Sequence, residues 1–410
     1  MMLKGKKIVV GVAGGIAAYK SAELVREFIR RGADVKVIMT KNAVEFITPL
    51  TLQTLSGNPV FCEMFSPIKE SEIAHITLAE YGDIMVIAPA TANVIGKIAS
   101  GIADDLLTTT IMATKAPVLI CPAMNTNMYT NVIVRENIEK LTARGYLSIE
   151  PAYGELACKS EGTGRLAEVP EIVEEVESAL TVKDLKGERV LVTAGPTREP
   201  FDPVRYITNY SSGKMGYALA CMARRRGAEV VLISGTSPLS PPRGVKFIPI
   251  SSAIEMRDAV MENLEASTVI IKAAAVADYR PVAYSSAKIK KQDGPLAVSL
   301  ERNPDIISEI GKKKGKRILV GFAMESENLI ENAKAKLLGK NMDLIIANDL
   351  TEAGAGFQTN TNIVKILSRN EKIEELPIMD KAEVADRILD RVKEMIARKG
   401  FKGSRGQGFK

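Results

Sequence analysis

Residues 7–20 read KIVVGVAGGIAAYK, and this stretch decides how the first half of the chain folds. Residues 7–13 form a short apolar run rich in valine, which is typical of a buried β-strand. A glycine-rich turn then leads into a helix-like segment at 17–31. Because a buried strand, a turn and a helix in this order open a βαβ unit, we predict a parallel sheet.

The alternation of strand-like and helix-like segments continues along the chain. Further strands are predicted at 34–39, 84–89, 117–121, 190–195, 229–234, 245–250, 268–275, 317–322 and 343–347. Helices are predicted at 170–180, 216–226, 303–314, 326–339 and 380–398. The polar segment 181–189 separates the two halves. We therefore predict an α/β protein of two Rossmann-like open parallel-sheet domains, 1–183 and 184–398, with a disordered basic tail at 399–410.

Composition and charge argue against several classes of protein. Of the 410 residues, 46% are hydrophobic and 25% are charged, and no apolar run reaches the length of a membrane span. The four cysteines have neither zinc-site spacing nor the density of a disulfide framework, which fits a reducing cytoplasm. Much of the net charge of +6 lies in the tail. We expect a cytoplasmic protein with neither a membrane nor a nucleic-acid partner.

The glycine turn after the first strand is a candidate phosphate site. Backbone N–H groups at a helix start attract a phosphate, and glycine allows close approach. The turn lacks the dinucleotide fingerprint, because Ala13 replaces a glycine and the second strand ends at Met39 and Thr40 without an acidic residue. The Thr40 hydroxyl suits a mononucleotide phosphate or a ribityl chain. On this motif alone, a turn that serves only packing is the alternative.

Three further residues suggest acid–base chemistry in the first half. His75 is the chain's one histidine, Asn125 ends a turn-like segment, and Cys158 lies in a loop with three glycines that could fold over a ligand as a lid. Small and polar residues at 88–93 follow a predicted strand, where ligands bind in such folds. The alternatives are a structural histidine and an incidental cysteine, since cysteine reactivity depends on its environment.

Taken together, these motifs resemble the flavin-dependent cysteine decarboxylases. The resemblance implies a bound FMN, with these contacts: Gly14, Gly15, Ile16, Ala17, Thr40, Thr91, Ala92 and Asn93. It implies that FMN takes up electrons from the substrate thiol so that CO2 can leave, and returns them afterwards. His75 would act as base or position the thiol and flavin, Asn125 would hold the departing carboxylate, and Cys158 would donate a proton. Flavin sites of this family lie between subunits, so we expect a homo-oligomer built from trimers.

The second half carries a loop and helix start that differ from a P-loop. In residues 212–215, Met215 stands where a P-loop has its magnesium-binding hydroxyl, and Thr208 stands where it has its first glycine. A helix beginning near Lys214 still offers N–H groups to a phosphate. Other candidates are Asp278 at a strand end, Lys288, Lys290 and Lys291 in one loop, Asn303 and Pro304 as predicted cap and first turn of a helix, and Lys336 and Lys340 on one helical face.

The order of these residues resembles the ligase half of a bifunctional family of coenzyme A biosynthesis, phosphopantothenoylcysteine decarboxylase joined to phosphopantothenate–cysteine ligase. There, 4'-phosphopantothenate reacts with CTP to give an acyl-cytidylate, which cysteine then attacks. The resemblance implies that Asn209 contacts the acyl-cytidylate and that Lys288 supports the second step. The implied CTP site consists of Asp278, Lys288, Asn303, Pro304, Asp305, Ile306, Phe322, Lys336 and Lys340. Mg2+ would offset the triphosphate charge, with its direct ligands left open.

Two alternatives remain from the sequence. The first is a flavin-dependent decarboxylase of another cysteine-containing substrate, fused to a nucleotide-binding domain. The second is a nucleotide-binding regulatory protein with degenerate sites. Five candidate catalytic residues argue against the second: His75, Asn125, Cys158, Asn209 and Lys288.

Overall fold

The chain folds into two compact units, Met1–Thr181 and Val182–Lys410. The computed structural model describes residues 3–65, 73–157, 161–290, 296–325, 328–349, 359–370 and 373–404. The division between the units lies close to the boundary predicted between residues 183 and 184.

The first unit is built on a six-stranded parallel sheet. Its strands are β1 (Lys7–Val12), β2 (Asp34–Met39), β3 (Val60–Phe61), β4 (Ile84–Ala90), β5 (Val118–Pro122) and β6 (Leu147–Ser148). They lie in the order β3-β2-β1-β4-β5-β6, and each neighbouring pair is parallel. The order reverses between β1 and β4, and ligands bind at the carboxyl ends of strands at such a reversal.

Helices cover both faces of this sheet. They are α1 (Lys20–Arg30), α2 (Pro49–Ser56), α3 (Ala74–Tyr81), α4 (Ala92–Ser100), α5 (Leu106–Ala113), α6 (Thr126–Thr130), α7 (Val132–Ala143) and α8 (Val169–Leu180). In β1, Val10 belongs to the apolar cluster that contains Leu24 of α1, whereas Val9 belongs to the cluster that contains Ile95 of α4. Alternate strand residues thus pack on opposite faces, which explains the uninterrupted apolar run. An antiparallel hairpin, β7 (Ala152–Glu155) and β8 (Glu161–Arg165), lies outside the sheet.

The second unit repeats this architecture with a longer sheet. Its strands are β9 (Arg189–Ala194), β10 (Arg198–Pro200), β11 (Tyr206–Thr208), β12 (Glu229–Ser234), β13 (Lys246–Pro249), β14 (Val269–Lys272), β15 (Tyr279–Pro281), β16 (Leu300–Arg302), β17 (Ile318–Glu325), β18 (Leu344–Asp349), β19 (Thr361–Ser368) and β20 (Ile373–Asp380). The main sheet has the order β13-β12-β9-β14-β17-β18-β19-β20, in which β19 pairs antiparallel with both β18 and β20. The predicted fold class is confirmed in both units.

The sequence prediction missed the antiparallel strands β19 and β20. In β20 the run IEELPIMD contains two glutamates and Pro377, which are poor strand signals. Proline is tolerated because β20 is the edge strand of the sheet.

The helices of the second unit pack around its sheet, and the last of them ends at the final described residue. They are α9 (Lys214–Arg225), α10 (Ala253–Leu264), α11 (Ile306–Lys313), α12 (Leu329–Gly339) and α13 (Lys381–Ser404). The last helix extends past residue 398, and residues 405–410 of the predicted tail lie outside the described residues. Of the helices in the described ranges, none is both long and apolar enough to cross a membrane.

The start of α11 corrects one local prediction. Asp305, not Asn303, caps this helix, because its carboxylate accepts a hydrogen bond from the Ser308 N–H at 3.1 Å. The Asn303 amide instead donates to the Ala277 carbonyl at 2.9 Å. Pro304 therefore precedes the helix. Two residues with capping side chains stood close together, and the sequence could not tell which one would cap.

Candidate functional site

A cavity of about 1000 Å³ opens beyond the carboxyl ends of β1 and β4. All the residues predicted to contact flavin line it: Gly14, Gly15, Ile16, Ala17, Thr40, Thr91, Ala92 and Asn93. They come from three segments that follow β1, β2 and β4, and the reversal of strand order brings these segments together.

The turn after β1 approaches the turn after β2 very closely. A Cβ atom at position 14 would lie 2.4 Å from the Cβ of Asn42 and 2.6 Å from its carbonyl carbon. Only glycine permits this approach. The two turns thereby form a narrow cradle of backbone that any larger residue at position 14 would fill.

Two threonine hydroxyls border the cradle. Thr40 Oγ1 accepts a hydrogen bond from the Ala43 N–H at 3.3 Å, and Thr91 Oγ1 accepts one from the Val94 N–H at 3.4 Å. Each hydroxyl thus caps a short helix and is held in place by it. A hydroxyl is also a donor, so each has an O–H bond to offer to a ligand oxygen.

The β7–β8 hairpin forms part of the wall of this cavity. Its Gly164 carbonyl accepts a hydrogen bond from the Met124 N–H at 2.9 Å, and a Cβ at position 164 would lie 2.2 Å from the Met124 carbonyl oxygen. Asn125, which follows in the same turn, lines the cavity, as do Leu156 and Ala157 of the hairpin. Cys158 comes next in the sequence and lies outside the described residues.

The contact between the hairpin and the Met124 turn gives a test of stability. Gly164→Ala should lower the free energy of unfolding by about 1–3 kcal/mol, because the added methyl group overlaps backbone that cannot easily move. Gly96→Ala in α4 is the matched control, since the nearest atom to its added Cβ is 3.9 Å away and alanine favours helix. Denaturant unfolding of the full chain measures both variants. Equal stability of the two would contradict the described contact.

His75 does not lie with the other first-half candidates in a single copy of the chain. It is half-buried in the first turn of α3 and is not among the residues that line the cavity. Asn125 is half-buried at the start of α6, where its Oδ1 accepts a hydrogen bond from the Asn127 N–H at 2.8 Å. The structure of one copy therefore brings Asn125, but not His75, to the predicted flavin contacts.

A second cavity, of about 320 Å³, lies in the second unit at the start of α9 and the carboxyl ends of β14 and β17. Four of the predicted CTP residues line it: Asp278, Phe322, Lys336 and Lys340. Lys340 forms an ion pair of 2.8 Å with Asp305, the cap of α11. This pair lowers the Asp305 pKa, because the hydrogen bonds from Lys340 and Ser308 outweigh the opposing effect of burial.

The remaining second-half candidates are not among the residues that line this cavity. They are Asn209, Lys288, Asn303, Pro304, Asp305 and Ile306. Asn209 Nδ2 donates to the carbonyl of Ala275, a wall residue, at 3.1 Å. The Asn303 amide donates to the carbonyl of Ala277, which is two residues after Ala275. These amides therefore fix the backbone of residues 275–277, the segment that leaves β14.

Lys288 is exposed, and the backbone beside it is anchored. The Ile289 N–H donates to Asp202 Oδ2 at 3.3 Å, and Arg205 donates to the Ile289 carbonyl at 3.0 Å. Hydrogen bonds from Arg205 hold the Asp202 pKa well below its usual range, so this buried carboxylate stays ionised. The structure thus places Lys288 on an anchored loop outside the cavity lining.

Two lysines of the second cavity were missed by the sequence prediction. Burial lowers the pKa of Lys272 to about 8, and burial together with the nearby Lys214 lowers that of Lys381 to about 8. A charged residue in the apolar run VIIKAAAV was the available signal for Lys272. Lys381 gave no signal, because β20 before it was not predicted. Within the described ranges, no group of three or more His, Cys, Asp or Glu is arranged to hold a metal ion.

Two family profiles match the chain, one for each unit. The profile described as "Flavoprotein" matches residues 1–181. The profile described as "DNA/pantothenate metabolism flavoprotein C-terminal domain" matches residues 185–396.

Full-length relatives span both units. The chain is 49% identical over 395 residues to the coenzyme A biosynthesis bifunctional protein CoaBC of Bacillus subtilis (strain 168), which covers 95% of this chain and 97% of the relative. It is 44% identical over 398 residues to the protein of the same description from Escherichia coli (strain K12), covering 96% and 98%. A crystal structure of the C-terminal domain of CoaBC is 42% identical, covers 53% of this chain and 99% of that chain, and has a TM-score of 0.46.

Proposed function

The chain belongs to the family of coenzyme A biosynthesis bifunctional proteins, and on this premise we propose which residues carry each of its two reactions. It is a phosphopantothenoylcysteine decarboxylase and a phosphopantothenate–cysteine ligase. Because the relatives match along both units, the alternative of an unrelated decarboxylase fused to a nucleotide-binding domain is set aside. We place the enzyme in the cytoplasm, in keeping with its cysteine usage.

The flavin of the first unit is FMN, held in the cavity beyond β1 and β4. The single observation that carries this assignment is the cradle at Gly14, which lines the cavity and which a Cβ atom would fill. Backbone N–H groups at such a turn into a helix bind a phosphate. Thr40 and Thr91 offer hydroxyls to a ribityl chain, and β2 ends without the acidic residue that a dinucleotide ribose favours. When bound, FMN supplies a reversible electron acceptor for the decarboxylation.

Three side chains carry out separate steps of the decarboxylation beside the flavin. Asn125 holds the substrate carboxylate: its Oδ1 is engaged by Asn127, which orients the amide with its N–H groups as the donor end. Cys158 donates the proton that completes the product. His75 acts as base or positions the thiol, and since it does not line the cavity of its own copy, a neighbouring copy supplies it in a trimer-based oligomer.

The second unit activates 4'-phosphopantothenate with CTP and couples the acyl-cytidylate to cysteine. Lys336 and Lys340 provide positive charge for the phosphates, and Asp278 and Phe322 line the same cavity. The 303–306 segment, which is joined to this cavity by the Lys340–Asp305 ion pair, completes the nucleotide site. Asn209 contacts the acyl-cytidylate, and the Lys288 side chain supports the second step. Mg2+ would accompany the triphosphate and offset its charge.

The flavin assignment predicts the colour and assembly of the purified protein. We expect a flavin absorbance band in the native protein, and release on denaturation of a noncovalent flavin whose mass is that of FMN. Light scattering should give a mass that is a multiple of three chains. Release of a dinucleotide, or no flavin uptake on reconstitution, would overturn the FMN assignment, and an active monomer would overturn the shared site.

A further inference from the structure

Two cations in the wall of the first cavity have no role in the chemistry described above. Lys20, the first residue of α1, and Arg165, the last residue of β8, both line the cavity beyond β1 and β4. Both approach the carboxylate of Glu168: Lys20 Nζ lies 3.3 Å from each of its oxygens, and Arg165 Nη2 lies 3.5 Å from Oε1. Glu168 is not among the lining residues. Within the described residues, the two cations thus share one carboxylate and leave an excess positive charge at the cavity wall.

Contacts on the hairpin fix where the Arg165 guanidinium group lies. A Cβ atom at Gly154 would lie 2.8 Å from Arg165 Nη1, so the guanidinium group crosses the backbone of β7. Glu168 is anchored in turn, because its own N–H donates to Glu171 Oε2 at 3.3 Å. Glu155, the acidic hairpin residue that lines the cavity, is exposed and forms no ion pair with Arg165 among the described residues. Arg165 is therefore held in place with N–H groups left to donate to a ligand.

The other cations of this cavity wall have protein partners or an assigned ligand. Lys97 is paired with Asp104 at 2.7 Å and with Asp105 at 3.4 Å. Lys41 lies in the turn after β2, which helps to form the cradle assigned to the FMN phosphate. The two cations that share Glu168 therefore provide the positive charge that remains for a second anionic ligand group.

The ligands of this cavity bring three anionic groups, and one of them has no assigned contact. The FMN phosphate is assigned to the cradle at Gly14, and the substrate carboxylate is assigned to Asn125. The 4'-phosphate of phosphopantothenoylcysteine remains. A phosphate monoester carries about 1.5 to 2 negative charges at neutral pH. Arginine binds such a group through two parallel N–H bonds.

We propose that Arg165 and Lys20 form the binding site for the 4'-phosphate of the decarboxylase substrate. Arg165 then makes the enzyme prefer the phosphorylated substrate to the same compound without its phosphate. The Glu168 carboxylate reduces the repulsion between the two cations, so that both can face one phosphate. The inference rests on the proposed assignment of this cavity to FMN and phosphopantothenoylcysteine.

The test compares two substrates of the FMN-loaded, full-length protein: phosphopantothenoylcysteine, and pantothenoylcysteine, which lacks the phosphate. The unsubstituted protein should have a KM about 10- to 100-fold lower for the phosphorylated compound, because charge-assisted hydrogen bonds are lost without the phosphate. Arg165→Met should raise the KM for phosphopantothenoylcysteine by a similar factor. Its KM for pantothenoylcysteine and its kcat for both compounds should stay within about twofold, because the phosphate is bound equally in the ground and transition states.

Three further variants complete the comparison. Arg165→Lys should recover part of the lost affinity, because lysine keeps the charge but not the paired N–H geometry. Lys20→Met should raise the KM for phosphopantothenoylcysteine alone, as Arg165→Met does. Arg144→Met is the matched control: Arg144 is an exposed arginine after α7 that does not line the cavity, and both KM values should stay within about twofold. Arg165→Met should also bind FMN with unchanged affinity, as measured by flavin fluorescence during reconstitution.

The outcomes separate this inference from the assignment on which it rests. If the unsubstituted protein decarboxylates neither compound, the assignment of the cavity is wrong and the inference with it. If the unsubstituted protein decarboxylates phosphopantothenoylcysteine but Arg165→Met leaves its KM unchanged, or raises both KM values equally, Arg165 does not bind the 4'-phosphate and only this inference fails. Weakened FMN binding with unchanged discrimination between the substrates would assign the two cations to the cofactor phosphate and also overturn the inference.

Discussion

Replacing Cys158 with serine should stop the decarboxylase reaction after CO2 has left. A serine hydroxyl is a far weaker acid than a thiol, so the final protonation should slow by about 100-fold or more while the earlier steps continue. His75→Asn should instead stop the reaction before CO2 is lost. The measurement is CO2 release from phosphopantothenoylcysteine in each variant, with mass analysis of what remains bound or is released.

Each variant serves as the control for the other in the CO2-release measurement. Cys158→Ser should yield CO2 and accumulate the oxidised ene-thiol product, whereas His75→Asn should yield neither. Before substrate is added, Cys158→Ser should retain flavin absorbance, since Cys158 is not among the predicted flavin contacts. Equal and complete loss of CO2 release in both variants would refute the separation of roles.

The second large effect concerns Lys288. Lys288→Gln should slow the coupling of the acyl-cytidylate to cysteine by roughly 100-fold, because a fixed cation near developing negative charge contributes a few kcal/mol to such a barrier. Pyrophosphate release from CTP should persist, and the intermediate should accumulate. The experiment adds CTP and phosphopantothenate first and cysteine later, and quantifies the intermediate at each stage. Normal coupling would leave Lys288 as part of the solvated surface on which the structure places it.

Asn209→Asp is the contrasting variant in the same experiment. The substitution removes the donor to the Ala275 carbonyl and brings a negative charge near the phosphate of the mixed anhydride. Both effects act on the formation of the intermediate, so pyrophosphate release itself should fall. Accumulation of intermediate equal to that of Lys288→Gln would contradict the role proposed for Asn209.

The sequence predicted those features that depend on local pattern. Apolar runs predicted the longer parallel strands of both sheets, because strands buried on both faces leave an uninterrupted apolar signal. The two-residue strands β3 and β6 were not predicted. The glycine turn after β1 and Thr40 after β2 were predicted as one site, because carboxyl ends of neighbouring parallel strands meet at one edge. The sequence identified the glycines of the hairpin. The close contact with the Met124 turn, which explains why glycine is needed there, is visible only in the fold.

The features that were missed depend on contacts distant in sequence. Pro377 and the glutamates of β20 hid an edge strand whose pairing with β19 is what stabilises it. The predicted cap of α11, Asn303, was wrong. Its amide donates instead to the carbonyl of Ala277 in the segment after β14, 26 positions away. Lys272 was passed over because nothing in its own segment shows that Lys336 and Lys340 of α12 lie on the same cavity.

The central claim is that one chain carries both reactions, with FMN and CTP in the two cavities described. The most direct measurement is anaerobic incubation of the purified protein with 4'-phosphopantothenate, cysteine, CTP and magnesium, followed by mass analysis of all products. We predict 4'-phosphopantetheine, CO2, CMP and pyrophosphate in equal amounts. When FMN has been removed, we predict phosphopantothenoylcysteine with CMP and pyrophosphate, but neither 4'-phosphopantetheine nor CO2. Turnover without CMP formation, or decarboxylation that persists in flavin-free protein, would contradict the account.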